Sequence, residues 1–185
     1  MKVVGFVGSP RKGGNTDILV QKALEGAKEK GAETKIYYLN DMNIRGCQAC
    51  MACKTKTDTC VQMDDMAPLY KEIAEADGVV IGSPIYMGNI TGQTKVFLDR
   101  WYALVTGDYK SRLAPGKKAL IILPQGQPDA NLFAGVGKGI GGVLKFLVKV
   151  DSDSLIAPGV RDKGELANNA EILDKAQQAR AKMLS

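Results

Sequence analysis

Four cysteines stand at Cys47, Cys50, Cys53 and Cys60, and the chain has no others. Their spacing, C-x2-C-x2-C-x6-C, lets three closely spaced thiolates wrap three irons of a cubane cluster, with the fourth arriving from a nearby turn. Zinc competes for the same donors, but structural zinc sites with four cysteines usually pair two knuckles across a longer segment. Unliganded thiols in a surface loop are the third possibility. Lys54 and Lys56 lie between the last two cysteines, where they would offset the charge of a thiolate-bound cluster, although surface lysines need no special reason.

A second candidate is the loop GSPRKGGNT at residues 8–16. A strand, a glycine-rich loop and a helix start in that order make an anion site, because backbone N–H groups and the helix dipole point at the ligand. The Walker A pattern fails, since Gly14 and Asn15 replace its lysine and hydroxyl. The dinucleotide fingerprint fails as well, because Ser9-Pro10 follows Gly8. What is left is a set of hydroxyl and amide donors on Ser9, Asn15 and Thr16 with the guanidinium of Arg11. That inventory fits one terminal phosphate. A glycine-proline turn capped by Asn15 or Thr16 is the plainer alternative.

Composition narrows the classes. The chain contains no histidine, which excludes His-based acid/base and nucleophilic machinery and every His-liganded metal. A net charge of +5 favours anionic ligands or acidic partners but is too diffuse for nucleic acid. No apolar stretch approaches the ~18 residues of a membrane span, and no leader pattern opens the chain, so a cytoplasmic protein with no membrane partner is expected. Cysteines in that compartment are more often ligands or redox groups than disulfides.

The elements that must position these groups alternate along the chain. Apolar runs at 2–8, 34–39, 78–83 and 117–123 read as strands, with a fifth near 153–157. Helical spacing runs from Thr16 to Lys30, from an Asp64 cap to Ala76, from Thr91 to Leu104, and over 168–184, where Ile172, Leu173, Ala176, Ala179 and Met183 recur. Residues 132–150 also look helical, but their five glycines each oppose a helix by about 1 kcal/mol. The connection 40–62 exceeds the ~12–15 residues at which a loop is usually functional. Strands alternating with helices predict a doubly wound α/β fold with a parallel sheet, whose ligands sit past the strands' carboxyl ends. The loops at 8–16, 83–91 and 124–131 are therefore the ones to inspect. Trp101 reads as core or subunit interface.

In order and separation, GSPRKGGNT at 8–16, GSPIYMGNITGQTKVFLDRW at 82–101 and LPQGQPD at 123–129 resemble the flavodoxin-like NADPH-dependent FMN reductase superfamily. The likeness covers nearly the whole chain and implies one domain, 1–185, built on a three-layer, five-stranded parallel sheet. It implies that Ser9, Arg11, Asn15 and Thr16 bind the FMN phosphate. Pro84, Ile85, Tyr86, Met87, Gly88 and Asn89 would line the ribityl chain and ring, and Gln125 and Gly126 would add a backbone edge. That second segment makes physical sense as a flavin seat, with a stiff Pro84, flat or polarizable Tyr86 and Met87, and a Gly88 that admits close approach.

Joined to the cysteine motif in a loop at about 43–62, the pattern is similar to the iron–sulfur flavoprotein branch. That implies Cys47, Cys50, Cys53 and Cys60 as [4Fe–4S] ligands, a homodimer or homotetramer, and electron exchange between cluster and FMN. A one-electron donor such as ferredoxin, or NAD(P)H, and a small-molecule acceptor are the implied partners; no catalytic side chain is. A clusterless NAD(P)H-dependent FMN or quinone reductase with free cysteines is the alternative function. A zinc-stabilised interaction module is a second.

Overall fold

A computed structural model describes residues 1–179. Strands β1 (Lys2–Val7), β2 (Glu33–Tyr38), β3 (Gly78–Gly82), β4 (Lys118–Pro124) and β5 (Asp151–Ala157) form one sheet in the order β2-β1-β3-β4-β5. Every pairing is parallel, with Gly5 opposite Ile36 on one side and Val80 on the other. The helices are α1 (Asn15–Lys28), the single turn α2 (Ala52–Thr55), α3 (Met66–Glu75), α4 (Gly92–Arg100), α5 (Ala134–Val148) and α6 (Ala170–Ala179). The expected five-stranded doubly wound parallel sheet is the architecture found. Among the described residues, no helix is long and apolar enough to cross a membrane.

The inner strands β1, β3 and β4 are apolar on both faces, which is what a covered parallel sheet requires. Val3, Val7, Val80, Leu120 and Ile122 pack with Leu19, Val20, Ala23 and Ala176 of α1 and α6. Val4, Phe6, Ile81, Ile121 and Leu123 pack with Met66, Ile73, Phe97, Trp101 and Leu144 beneath α3, α4 and α5. Trp101 is thus a core residue. Its ring meets Phe97 edge-on at 5.7 Å between centroids, and Phe97 in turn contacts Phe6 at 4.5 Å.

Three boundaries differ from the expectations, each for a local reason. The helix after Thr91 ends at Arg100 and tightens into a 3-10 turn at Trp101–Leu104. Asp64 lies one residue before the cap position of α3, held by Asp65. Its Oδ1 still accepts the Met66 N–H at 3.1 Å, while its other oxygen is taken by Arg100. Strand β5 begins two residues early, at Asp151. The last helix is described as far as Ala179; the expectation for Met183 lies outside the described residues.

Residues 134–148 are helical despite their glycines, and two of the five, Gly137 and Gly141, do packing work, while a Cβ on Gly135, Gly139 or Gly142 would meet open space. A Cβ at Gly137 would lie 2.6 Å from Ser154 Oγ, and one at Gly141 would lie 2.4 Å from Ser152 Oγ. This pair, one turn apart, lets α5 approach β5 more closely than any side chain would permit.

Candidate cofactor sites

In the sheet order, β1 and β3 lie side by side while the chain leaves them in opposite directions, and crevices form at such switch points. The loops after β1, β3 and β4 meet there. They are stitched together by Gly8 N–H to Gly82 O (2.8 Å), Thr91 Oγ1 to Gly8 O (2.7 Å), Ser83 N–H to Ile122 O (2.9 Å) and Ile85 N–H to Pro124 O (3.0 Å). Gly8 is required by contact, since a Cβ there would fall 1.7 Å from Thr94 Oγ1.

Within the first loop, buried Ser9 accepts the Arg11 N–H through its hydroxyl (3.1 Å), and Gly14 N–H donates to Arg11 O (3.0 Å). Gly13, at φ +68°, donates its N–H to the buried Asp17 carboxylate at 2.7 Å. Gln21 and the Tyr38 hydroxyl donate to the other oxygen of Asp17. Helix α1 then starts with no side-chain cap. Its first N–H groups therefore carry the unsatisfied donors and partial positive charge of a helix start.

One pocket takes in Ser9, Arg11, Asn15 and Thr16 from this loop, Pro84, Ile85 and Tyr86 from the second, and Gln125 and Gly126 from the third. Met87, Gly88 and Asn89 are placed elsewhere. Reciprocal Tyr86–Asn89 backbone bonds of 2.8 and 3.1 Å make a tight turn whose tip is Met87 (φ +49°) and Gly88 (φ +77°), with Met87 wholly exposed. Asn89 lines a neighbouring groove instead. Gln125 is buried, and its Nε2 donates to Gln127 O and Asp129 O (3.2 and 2.7 Å). That leaves Oε1 as a buried acceptor without a partner among the described residues. Val160, Arg161, Asp162 and Lys163 complete the pocket wall. Sequence reading passed over them, although a basic pair just beyond the carboxyl end of β5 was the available signal.

The cysteine loop is built differently. Cys47 and Cys50 are exposed, Cys53 and Cys60 half-buried, and all four line one small pocket with Gln62, Arg100 and Tyr102. Ala49 (φ +50°) and Met51 (φ +60°) take left-handed conformations, turning the chain sharply between the first three cysteines. Among the described residues, no three Cys, Asp or Glu side chains gather as ligands of a single ion.

Cations fasten this loop. Arg100, wholly buried, donates from Nη1 to Arg45 O (2.8 Å) and pairs with Asp64 at 2.6 Å. Burial opposes charge on Asp64, but hydrogen bonds from Arg100 and from the Arg45 and Met66 N–H groups outweigh it, holding the carboxyl below the usual range. Arg112 donates to Cys53 O (2.9 Å) and to Asp58 (2.7 Å). Lys54 donates to Tyr102 O and Val105 O, and its ammonium lies 3.7 Å from the centre of the Tyr102 ring. Burial pushes the Lys54 ammonium below its ordinary range, with Cys53 opposing the shift. Among the described residues, the Nε–H groups of Arg100 and Arg112 are buried without partners. Beside this loop, a cavity of about 820 Å³ runs between α4 and α5, lined by Cys47, Ala49, Trp101, Val136, Ile140 and Leu147 among others.

Comparison with known proteins places this arrangement. The family model for NADPH-dependent FMN reductase matches residues 1–130. The chain belongs to the NADPH-dependent FMN reductase family. Among curated relatives, this reductase-family chain is 43% identical over 100 residues to an iron–sulfur flavoprotein of Methanosarcina thermophila, covering 54% of this chain and 52% of that one. It is 43% identical over 110 residues to an iron–sulfur flavoprotein of Methanocaldococcus jannaschii, covering 60% and 55%. The chain thus spans about half the length of the curated relatives it matches.

Among solved structures, the NAD(P)H:quinone oxidoreductase from Methanothermobacter marburgensis superposes with a TM-score of 0.78 at 18% identity, over 100% of this chain and 96% of that one. An FMN-dependent NADH-azoreductase from Bacillus anthracis, solved with FMN, gives 0.71 at 16% identity over the whole of both chains. At such identities the likeness is one of fold.

Proposed function

We propose that this chain is an FMN-dependent oxidoreductase of the electron-transfer type, a single domain in which Cys47, Cys50, Cys53 and Cys60 carry a [4Fe–4S] cluster. The observation that carries the flavin half is the convergence of three separate loops on one pocket at the switch point of the sheet. Ser9, Arg11, Asn15 and Thr16 would hold the FMN phosphate beside the uncapped start of α1. Pro84, Ile85, Tyr86, Gln125 and Gly126 would seat the rest, with the unpartnered Gln125 Oε1 free to accept from the flavin's polar edge. Met87 and Gly88 would approach it from the tip of their turn, and Asn89 from its base.

The cysteine half is supported by the common lining of one pocket, by the names of the relatives, and by the two buried, unpartnered arginine N–H groups beside it. Thiolates of a cubane bind different irons and stand farther apart than ligands sharing one ion, so a set that gathers around no single ion still fits. When bound, FMN supplies one- and two-electron chemistry and the cluster one-electron chemistry, while the protein sets position and electrostatics. Ferredoxin-like carriers or NAD(P)H would donate, and a small molecule would accept. The apolar groove between α4 and α5, with Val143 exposed along it, favours a homo-oligomer. Four unpaired thiols fit a reducing, cytoplasmic setting.

A second reading, a clusterless NAD(P)H-dependent FMN or quinone reductase, is favoured by the exposure of Cys47 and Cys50. Anaerobic isolation with iron, sulfide and zinc analysis decides between them. A broad visible shoulder bleached by dithionite, with iron and sulfide, is the expected result. Flavin bands without iron overturn the cluster, and stoichiometric zinc without flavin overturns both in favour of an interaction module.

A further inference from the structure

The family match ends at residue 130, yet the pocket over loop 8–16 is closed by residues 160–163. This segment is tied down at four points. Arg161 Nε donates to Gly126 O (3.1 Å), and Arg11 Nη1 donates to Arg161 O (3.3 Å). Asn15 Nδ2 donates to Asp162 O (2.9 Å), and Leu166 N–H donates to Asn15 Oδ1 (3.1 Å). Asn15 therefore spends both ends of its amide on this segment. Glu165 shapes the turn by accepting the N–H groups of Arg161 and Asp162 at 2.8 and 3.1 Å. Lys163 crosses the first loop, its Cε lying 3.8 Å from where a Cβ on Gly13 would stand.

Three cations, Arg11, Arg161 and Lys163, thus share one small pocket with a single carboxylate residue, Asp162. None of the three has an ion-pair partner among the described residues, whereas the adjacent Lys12 is paired with Asp41. Unpaired guanidinium and ammonium groups converging on an uncapped helix start make a site for a dianion.

We propose that residues 160–166 form a strap that completes the phosphate site, with Arg161 and Lys163 selecting phosphorylated flavin over riboflavin. Asn15 is the positioning residue that holds the strap to α1. The inference rests on the flavin reading above and extends it to a part of the chain outside the family match. It also alters the expected role of Asn15, which acts through the strap rather than on the phosphate by its side chain.

The test is equilibrium titration of the full chain with FMN and, separately, with riboflavin, read by flavin fluorescence. For Arg161→Ala/Lys163→Ala, FMN affinity is expected to fall roughly 100-fold, about ten-fold per charge-assisted contact, with riboflavin affinity nearly unchanged. Asn15→Ala is expected to weaken FMN about ten-fold in the same selective way. Both charged side chains are exposed, so circular dichroism should report an unaltered fold. Equal losses for both flavins, or no loss, overturn the strap. A parent protein that does not prefer FMN over riboflavin overturns the phosphate reading itself. A parent that prefers FMN, with a double variant that keeps the preference, overturns the strap alone.

Discussion

Loop 8–16 meets the sheet and its neighbours through uncharged hydrogen bonds, Gly8 N–H to Gly82 O from the backbone and Thr91 Oγ1 to Gly8 O from a side chain, whereas residues 45–64 are pinned from outside by the side chains of Arg100 and Arg112 and from within by Lys54. Backbone bonding spreads stability over many small contributions, none of which a side-chain substitution can remove. Cationic pins concentrate it in a few groups whose loss leaves charges or carbonyls stranded in the interior. The first region should therefore be sensitive to shape and the second to charge.

The largest break in that comparison is Arg100→Met. It strands buried Asp64 and frees Arg45 O, and is expected to cost about 3–5 kcal/mol in urea unfolding at neutral pH. Acid provides the matching check. Because the folded-state pKa of Asp64 is depressed, its contribution is fully present above the ordinary carboxylate pKa and lost as pH falls through the folded value. The stability gap between the parent and Asp64→Asn should therefore be full at pH 7 and close progressively in acid.

Next in size is Gly8→Ala, where a Cβ would collide with Thr94 Oγ1. A loss of about 1–3 kcal/mol is expected from overpacking, with no dependence on pH or salt. The smallest effect is that of Arg112→Ala, which deletes the bond to Cys53 O. Its pair with Asp58 is exposed on the acid side and adds little. About 1 kcal/mol is expected, seen as faster labelling of Cys53 by a thiol reagent. A change confined to the pocket over loop 8–16 would remove the distinction between the two regions.

The sheet was legible because its strands are short apolar runs separated by turn residues, and the first three loops followed from the sheet. Strand β5 was read two residues short because Asp151 and Ser152 are polar, as suits an edge strand. The glycines of α5 read as helix breakers because the reason for two of them, the serines of β5 beside Gly137 and Gly141, lies in another element. The same holds for the sites. Local motifs singled out the cysteines and loop 8–16, both of which line pockets. Arg100 contacts Asp64 and Arg45 across 36 and 55 residues, and Arg161 reaches Arg11 across 150. Pairings at that range leave no mark in a window of sequence. The segment 84–89 reads as one surface in sequence; in the fold Pro84, Ile85 and Tyr86 line the pocket, while a left-handed turn puts Met87 and Gly88 at its tip, a geometry that spacing alone does not encode.

The two margins of the sheet bear on how this protein meets others. At β2 the exposed residues are Glu33 and Lys35, and at β5 they are Asp151, Asp153 and Ser154. A foreign strand adding to either margin would have to lay its own chain against these charges and strip their water. The sheet therefore resists lengthening into a larger ribbon. Encounters are directed to the helical faces and to the loops above the strands, where the redox groups would be reached.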